Sequence, residues 1–135
     1  MIRDFLLTQA ALANLLGTGN ANGAIYCTAL LPEHYDAAKG PAVQLIRSGG
    51  LTEPEIPDLL EARLQIRIWA DQEKDKLASD VYGQVHDALT PLQMFSNGRG
   101  TIMSATEITG PQEGSDPDSS WTFVNSFYTV VARPN

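Results

Sequence analysis

The chain has 135 residues, is 43% hydrophobic and 19% charged, and carries a formal net charge of −7. This size and composition predict one globular domain, residues 1–135, able to bury roughly two-thirds of its unfolded surface without staples, and they exclude a disordered chain. The acidic balance disfavours broad binding to nucleic acid or to an anionic membrane, and the lone Cys27 excludes an internal disulfide.

Residues 2–16 are predicted as one amphipathic helix, with Ile2, Phe5, Leu6, Leu12, Leu15 and Leu16 at helical spacing and Gly17 as its stop. The single basic residue Arg3, an acid beside it and the polar Thr8, Gln9 and Asn14 are unlike a signal peptide. No window approaches the ~20 apolar residues of a membrane span. The chain is therefore expected to stay in the cytoplasm in which it is made.

After a glycine-rich loop to Gly23, residues 24–31 and 42–48 are predicted as strands. Residues 49–60, with two glycines, two prolines and three acids, are predicted as a long loop. The clearest strand is 61–70. Ala62, Leu64, Ile66, Ile68 and Ala70 alternate with Glu61, Arg63, Gln65 and Arg67, and Trp69 lies at the end. Such alternation puts one face on a core and the other toward water or a partner.

A second helix follows, with Asp71 as cap and Leu77, Val81, Val85 and Leu89 recurring every four residues until Thr90-Pro91 ends it. Asn97 to Gly100 reads as a turn, 101–108 as a modest strand, and 109–120 as a second long polar loop. The last strand runs from Trp121 to about Ala132, with apolar groups on both faces that need cover. The order α-β-β-β-α-β-β, connected mostly by hairpins and loops, predicts an α+β fold: a mostly antiparallel sheet of four to five strands with two helices on one face.

No catalytic, cofactor-binding or metal-binding constellation emerges. His34 falls in a loop and His86 beside the apolar stripe of a helix, without the spacing that sets two ligands on one helical face. Cys27 reads as a buried structural thiol in a strand. Glu113, Asp116 and Asp118 lack the pattern of a calcium loop. The glycines at 17, 19 and 23 follow a helix and open a strand, the reverse of a dinucleotide site. Two readings fit Arg63 and Arg67: a solvated sheet face with a cross-strand partner such as Glu107, or an intersubunit contact. Trp69, Trp121, Phe123, Phe127 and Tyr128 are core residues by default, and one or two of them suit an interface anchor.

Three stretches carry a family resemblance. They are the opening helix with Gly23-Ala24-Ile25-Tyr26 and Leu30-Leu31-Pro32-Glu33, the strand Gly40 to Gly50, and the strand Ala62 to Ala70 running through Asp71 into the helix Glu73 to Leu89. In these the chain resembles the tail terminator, or tail completion, proteins of long-tailed bacteriophages and related gene-transfer particles. The resemblance implies a non-enzymatic virion protein without cofactor, assembled in the host cytoplasm. Such proteins form a ring, commonly of six copies, at the head-proximal end of the tail tube. The ring stops tube polymerisation and offers a docking surface to the head. Its partners are further copies of itself, the major tail tube protein and head-completion or neck proteins. DNA passes its channel without specific binding, and no membrane is involved.

A ring made by repeating one heterologous contact needs two patches per subunit. The outer face of strand 61–70, with Arg63, Arg67 and Trp69, and the last strand, with Trp121 and Phe123, are the candidates. The loops 49–60 (Glu53, Glu55, Asp58) and 109–120 (Glu113, Asp116, Asp118) are candidate docking loops. A head-closure or other neck connector protein is the alternative within this class. A small oligomeric α+β ligand-binding or enzyme domain is the alternative outside it.

Overall fold

The computed structural model describes residues 2–20, 22–27, 31, 35–52, 60–71, 75–90, 93–98 and 100–134. The N-terminal apolar stripe folds as two short helices, α1 (Ile2–Leu7) and α2 (Ala10–Leu16), rather than one. The break has a local cause. The Thr8 hydroxyl donates to the Phe5 carbonyl at 2.6 Å, and the Thr8 and Gln9 amides close onto Phe5 and Leu6. A side chain that competes for a helical carbonyl in this way ends the turn. The apolar spacing survives the break, because Ile2, Leu6, Leu12 and Leu16 are all buried.

Six strands form one sheet: β1 (Ile25–Tyr26), β2 (Ala42–Thr52), β3 (Leu60–Ala70), β4 (Gln93–Asn97), β5 (Gly100–Ser115) and β6 (Thr122–Pro134). Their order is β1-β2-β3-β6-β5-β4. Among the described residues only β1 and β2 run parallel. The fold is α+β with a largely antiparallel sheet, as the sequence predicts, though among the described residues the sheet has six strands and the α-helices number three. Of the predicted strand 24–31, Ile25–Tyr26 is strand and Cys27 beyond it is exposed, not buried.

Helix α3 (Asp75–Leu89) lies across one face of the sheet, touching β3, β5 and β6, with α2 beside it. Ala78, Val81, Val85 and Leu89 are fully buried against Ile66, Ile68, Ile102, Val124 and Tyr128. Each valine, leucine or isoleucine so buried contributes about 1.5–3 kcal/mol. The sheet is curled. Arg3 of α1 donates from Nε to the Ile25 carbonyl of β1 at 2.8 Å, while Phe5 of the same helix meets Phe95 of β4 edge-on at 5.2 Å. One short helix thereby touches both outermost strands.

Parts of two predicted loops, 49–52 and 109–115, fold as strand, and residues 53–59 of the first lie outside the described residues. β2 continues through Gly49 and Gly50 to Thr52, accommodating a register shift between Arg47 and Gly49. β5 continues through Gly110 and Pro111 to Ser115. Its register shifts between Glu107 and Thr109 and again between Thr109 and Gln112, so the proline falls where strict pairing is relaxed. Gly114 then lies opposite Phe123, and a β-carbon there would come within 2.7 Å of the ring. Its glycine lets the phenyl ring lie directly on the strand.

The polar run after β5 is a tight hairpin turn. Asp116 accepts from the Ser119 hydroxyl at 2.7 Å, and its own backbone bonds Trp121 and Ser120. β6 is no edge strand: it pairs with β3 on one side and β5 on the other. Its two apolar faces are thus explained largely within the chain, one on the helices and one on the far side of the sheet.

Candidate assembly surface

The face of the sheet turned away from α3 is built in cross-strand rows. Ala42, Trp69, Phe123 and Gly114 form one row; Gln44, Arg67, Asn125 and Gln112 the next; Ile46, Gln65, Phe127 and Thr109 the third. Beyond them Arg63 pairs with Thr129, and Glu61 with Val131. The two patches expected on strand 61–70 and on the last strand are therefore one continuous patch, because β3 and β6 are neighbours.

At one end this face is aromatic. Tyr26 and Tyr35 meet at 6.1 Å, Tyr35 and Trp121 at 5.2 Å, Trp121 and Trp69 at 6.4 Å, and Trp69 and Phe123 at 5.4 Å. Trp69 is buried and donates its indole N–H to the Gln44 side chain at 3.0 Å. Trp121 and Phe123 are half-buried. Burial pushes the Tyr35 hydroxyl well above its ordinary pKa.

Arg67 closes the aromatic cluster. Its guanidinium lies 4.8 Å from the Phe123 centroid and 5.6 Å from that of Trp69. Its Nε is shielded from solvent and has no hydrogen-bond partner among the described residues. Beside it Gln65 donates to Asn125 at 2.8 Å. Arg63, four residues along, is exposed. Glu107 is not the cross-strand partner of these arginines: it pairs with Tyr128 on the face that α3 covers.

Of the acids in the predicted docking loops, Glu53, Glu55 and Asp58 lie outside the described residues. Glu113 lies on β5 and accepts from Ser79 of α3 at 3.1 Å. Asp116 holds the hairpin turn, and the bond from Ser119 keeps its carboxyl below the usual range. Asp118 is exposed in the turn.

The other polar constellation is one that inspection of the sequence passes over. Beneath α3, Tyr82 donates to Glu107 in a short hydrogen bond, and His86 Nδ1 lies 3.1 Å from the Tyr128 hydroxyl and 3.5 Å from Glu107. Burial raises the pKa of Tyr82 and of Tyr128, and the Glu107 carboxylate raises both further. The i, i+4 spacing of Tyr82 and His86 was a visible signal; the pairing of Glu107 with Tyr128 was not. The group clamps the helix to the sheet.

Among the described residues no cluster of three or more histidine, cysteine or acidic side chains stands close enough to hold a metal, and no helix is long and apolar enough to cross a membrane. A cleft of about 340 Å³ lies between α3 and the β5–β6 hairpin, beside Lys76, Ser79, Glu113 and Thr122. Ser79 and Glu113 there are bonded to each other. An apolar crevice of about 70 Å³ lies among Leu6, Leu16 and Ile25.

No protein-family model matches the chain, and no curated protein matches it in sequence. Among solved structures, a chain of the virion of a native gene transfer agent particle shares its fold. The TM-score is 0.70 at 18% identity, over 98% of this chain and 91% of that one.

Proposed function

We propose that the chain is a structural protein of a phage-like particle, forming a ring at the head-proximal end of the tail tube that stops tube growth and receives the head. The observation that carries this reading is the fold shared, over nearly the full length of both chains, with a chain of a gene transfer agent virion. The sheet face supports it: arginines and half-buried aromatic rings lie side by side there, a composition that favours protein contact. The reading calls for no catalysis and no cofactor. Its partners are further copies of the chain, the tail tube subunit and the neck proteins, with DNA passing through the ring.

The test is deletion of the gene in the particle-producing genome that carries it, with the lysate viewed by negative-stain electron microscopy. Overlong, uneven tails beside filled, unattached heads are expected. Tails of normal length beside heads that leak DNA would move the protein to head closure. Normal particles would overturn the virion reading and bring the ligand-binding alternative forward.

A further inference from the structure

A ring built by repeating one contact needs two different, complementary places on each copy. β5 supplies one of them. β4 pairs with it no further than Ser104, so among the described residues β5 from Ala105 to Ser115 has a strand neighbour on the β6 side alone. That open edge is built to refuse another strand. Its register slips twice against β6, and Pro111 lies in the second slip. Bulges and proline are devices by which sheets block edge-to-edge pairing, and charged side chains usually accompany them.

Here the residue that bulges out of the ladder between Glu107 and Thr109 is Ile108, and it is 50% exposed. A bulge re-aims the side chain it carries. A single surface isoleucine is ordinary. An isoleucine lifted out of an edge that rejects a backbone suits a partner that takes the side chain and not the strand. Met103 is also exposed and also bulges, but it lies where β5 is flanked by β4 as well as β6.

The second place is the crevice of about 70 Å³ where α1, α2 and β1 meet. Buried Leu6, Leu16 and Ile25 wall it, and exposed Leu7 and Ala13 stand at its mouth. Lined in this way it offers water few polar partners, and its size admits one aliphatic side chain rather than a helix or a strand. The larger cleft beside α3 carries Lys76, Ser79, Glu113 and Thr122 and does not suit an isoleucine.

We propose that Ile108 of one copy inserts into the Leu6–Leu16–Ile25 crevice of the next. Knob and hole lie on different elements, so each copy gives one and receives one, and the contact runs head to tail. Insertion takes two exposed apolar side chains, Ile108 and Leu7, out of water together. The proposal rests on the ring reading and names a contact that builds the ring.

The experiment reads self-association by light scattering after gel filtration, with circular dichroism to verify folding. Ile108→Asp removes the knob, and Ala13→Phe, at an exposed helix position, plugs the hole. Each should weaken self-association about tenfold or more, the weight of one buried isoleucine. Met103→Ser should assemble like the wild-type chain; an equal loss there would reduce the contact to a generally adhesive β5 and overturn the assignment. An equal mixture of Ile108→Asp and Ala13→Phe chains should form pairs and nothing larger, because one intact knob meets one intact hole and the chain of contacts then ends. If the wild-type chain assembles and the Ile108 and Ala13 variants assemble equally well, the contact is wrong and the ring stands. If the wild-type chain stays monomeric at every concentration, the ring reading falls and the contact with it. If Ile108→Asp rings form normally but no longer seat on tail tubes in electron micrographs, Ile108 meets the tube subunit and the inference is overturned.

Discussion

Arg67 places its guanidinium 4.8 Å from the centre of the Phe123 ring, and Phe123 lies in turn on the bare backbone of Gly114. Three adjacent strands thus meet through one cation, one ring and one missing side chain. The charge lies against aromatic faces, with the Asp116 carboxylate attracting it from the β5–β6 turn.

Gly114→Ala tests that stack. The new β-carbon, 2.7 Å from the ring, displaces Phe123 from Arg67 and Trp69. The expected loss is about 1–3 kcal/mol, as for other overpacked sites. Urea unfolding followed by tryptophan fluorescence measures it, and an unchanged midpoint would mean that the ring moves aside freely.

Gln44→Leu removes the acceptor of the buried Trp69 indole N–H. An orphaned buried donor costs about 1–3 kcal/mol. Adding Trp69→Phe should recover part of that loss, since the second change removes the stranded donor. Strictly additive losses in the double-mutant cycle would separate the two side chains energetically.

Tyr82→Phe breaks the bond to Glu107 and leaves that carboxylate with Tyr128 and His86 as its neighbours in the cluster. A hydrogen bond to a charged group contributes about 1.5–3 kcal/mol. Amide exchange should quicken first in α3, whose attachment to the sheet the bond secures. Faster exchange confined to β2 and β3 would locate the effect elsewhere.

Alkaline pH should unfold the chain. Burial holds the Tyr35 and Tyr128 hydroxyls above their ordinary value of 10.0. Below pH 10 both are protonated whether the chain is folded or not. Above it only the unfolded chain gives up these protons, so the native state loses about 1.4 kcal/mol per pH unit for each tyrosine. Urea midpoints at rising pH, with Tyr128→Phe flattening the fall, measure this; a flat profile to pH 11 would contradict it.

The helix-facing half of the fold was legible in the sequence. The four-residue recurrence from Leu77 to Leu89 and the alternation from Ala62 to Ala70 each report a single buried face, and both elements form. The extension of β5 was hidden, because Gly110, Pro111 and Gly114 argue locally for a loop. They are accommodated by register shifts and by the ring of Phe123, both of which come from β6. The short β4 had too few residues to declare a period. The outer face was named one strand at a time, through Arg63, Arg67, Trp69, Trp121 and Phe123. Its unity needed the strand order, which no spacing within the chain encodes.

That strand order also sets a timetable. β6 comes last along the chain and occupies the middle of the sheet, between β3 and β5. During synthesis residues 2–115 can be made, yet the sheet remains in two halves until residues 122–134 emerge. The rows that carry Arg67, Trp69 and Phe123 do not exist before then. A nascent chain therefore has no finished surface to offer a neighbour, and association waits for a whole subunit.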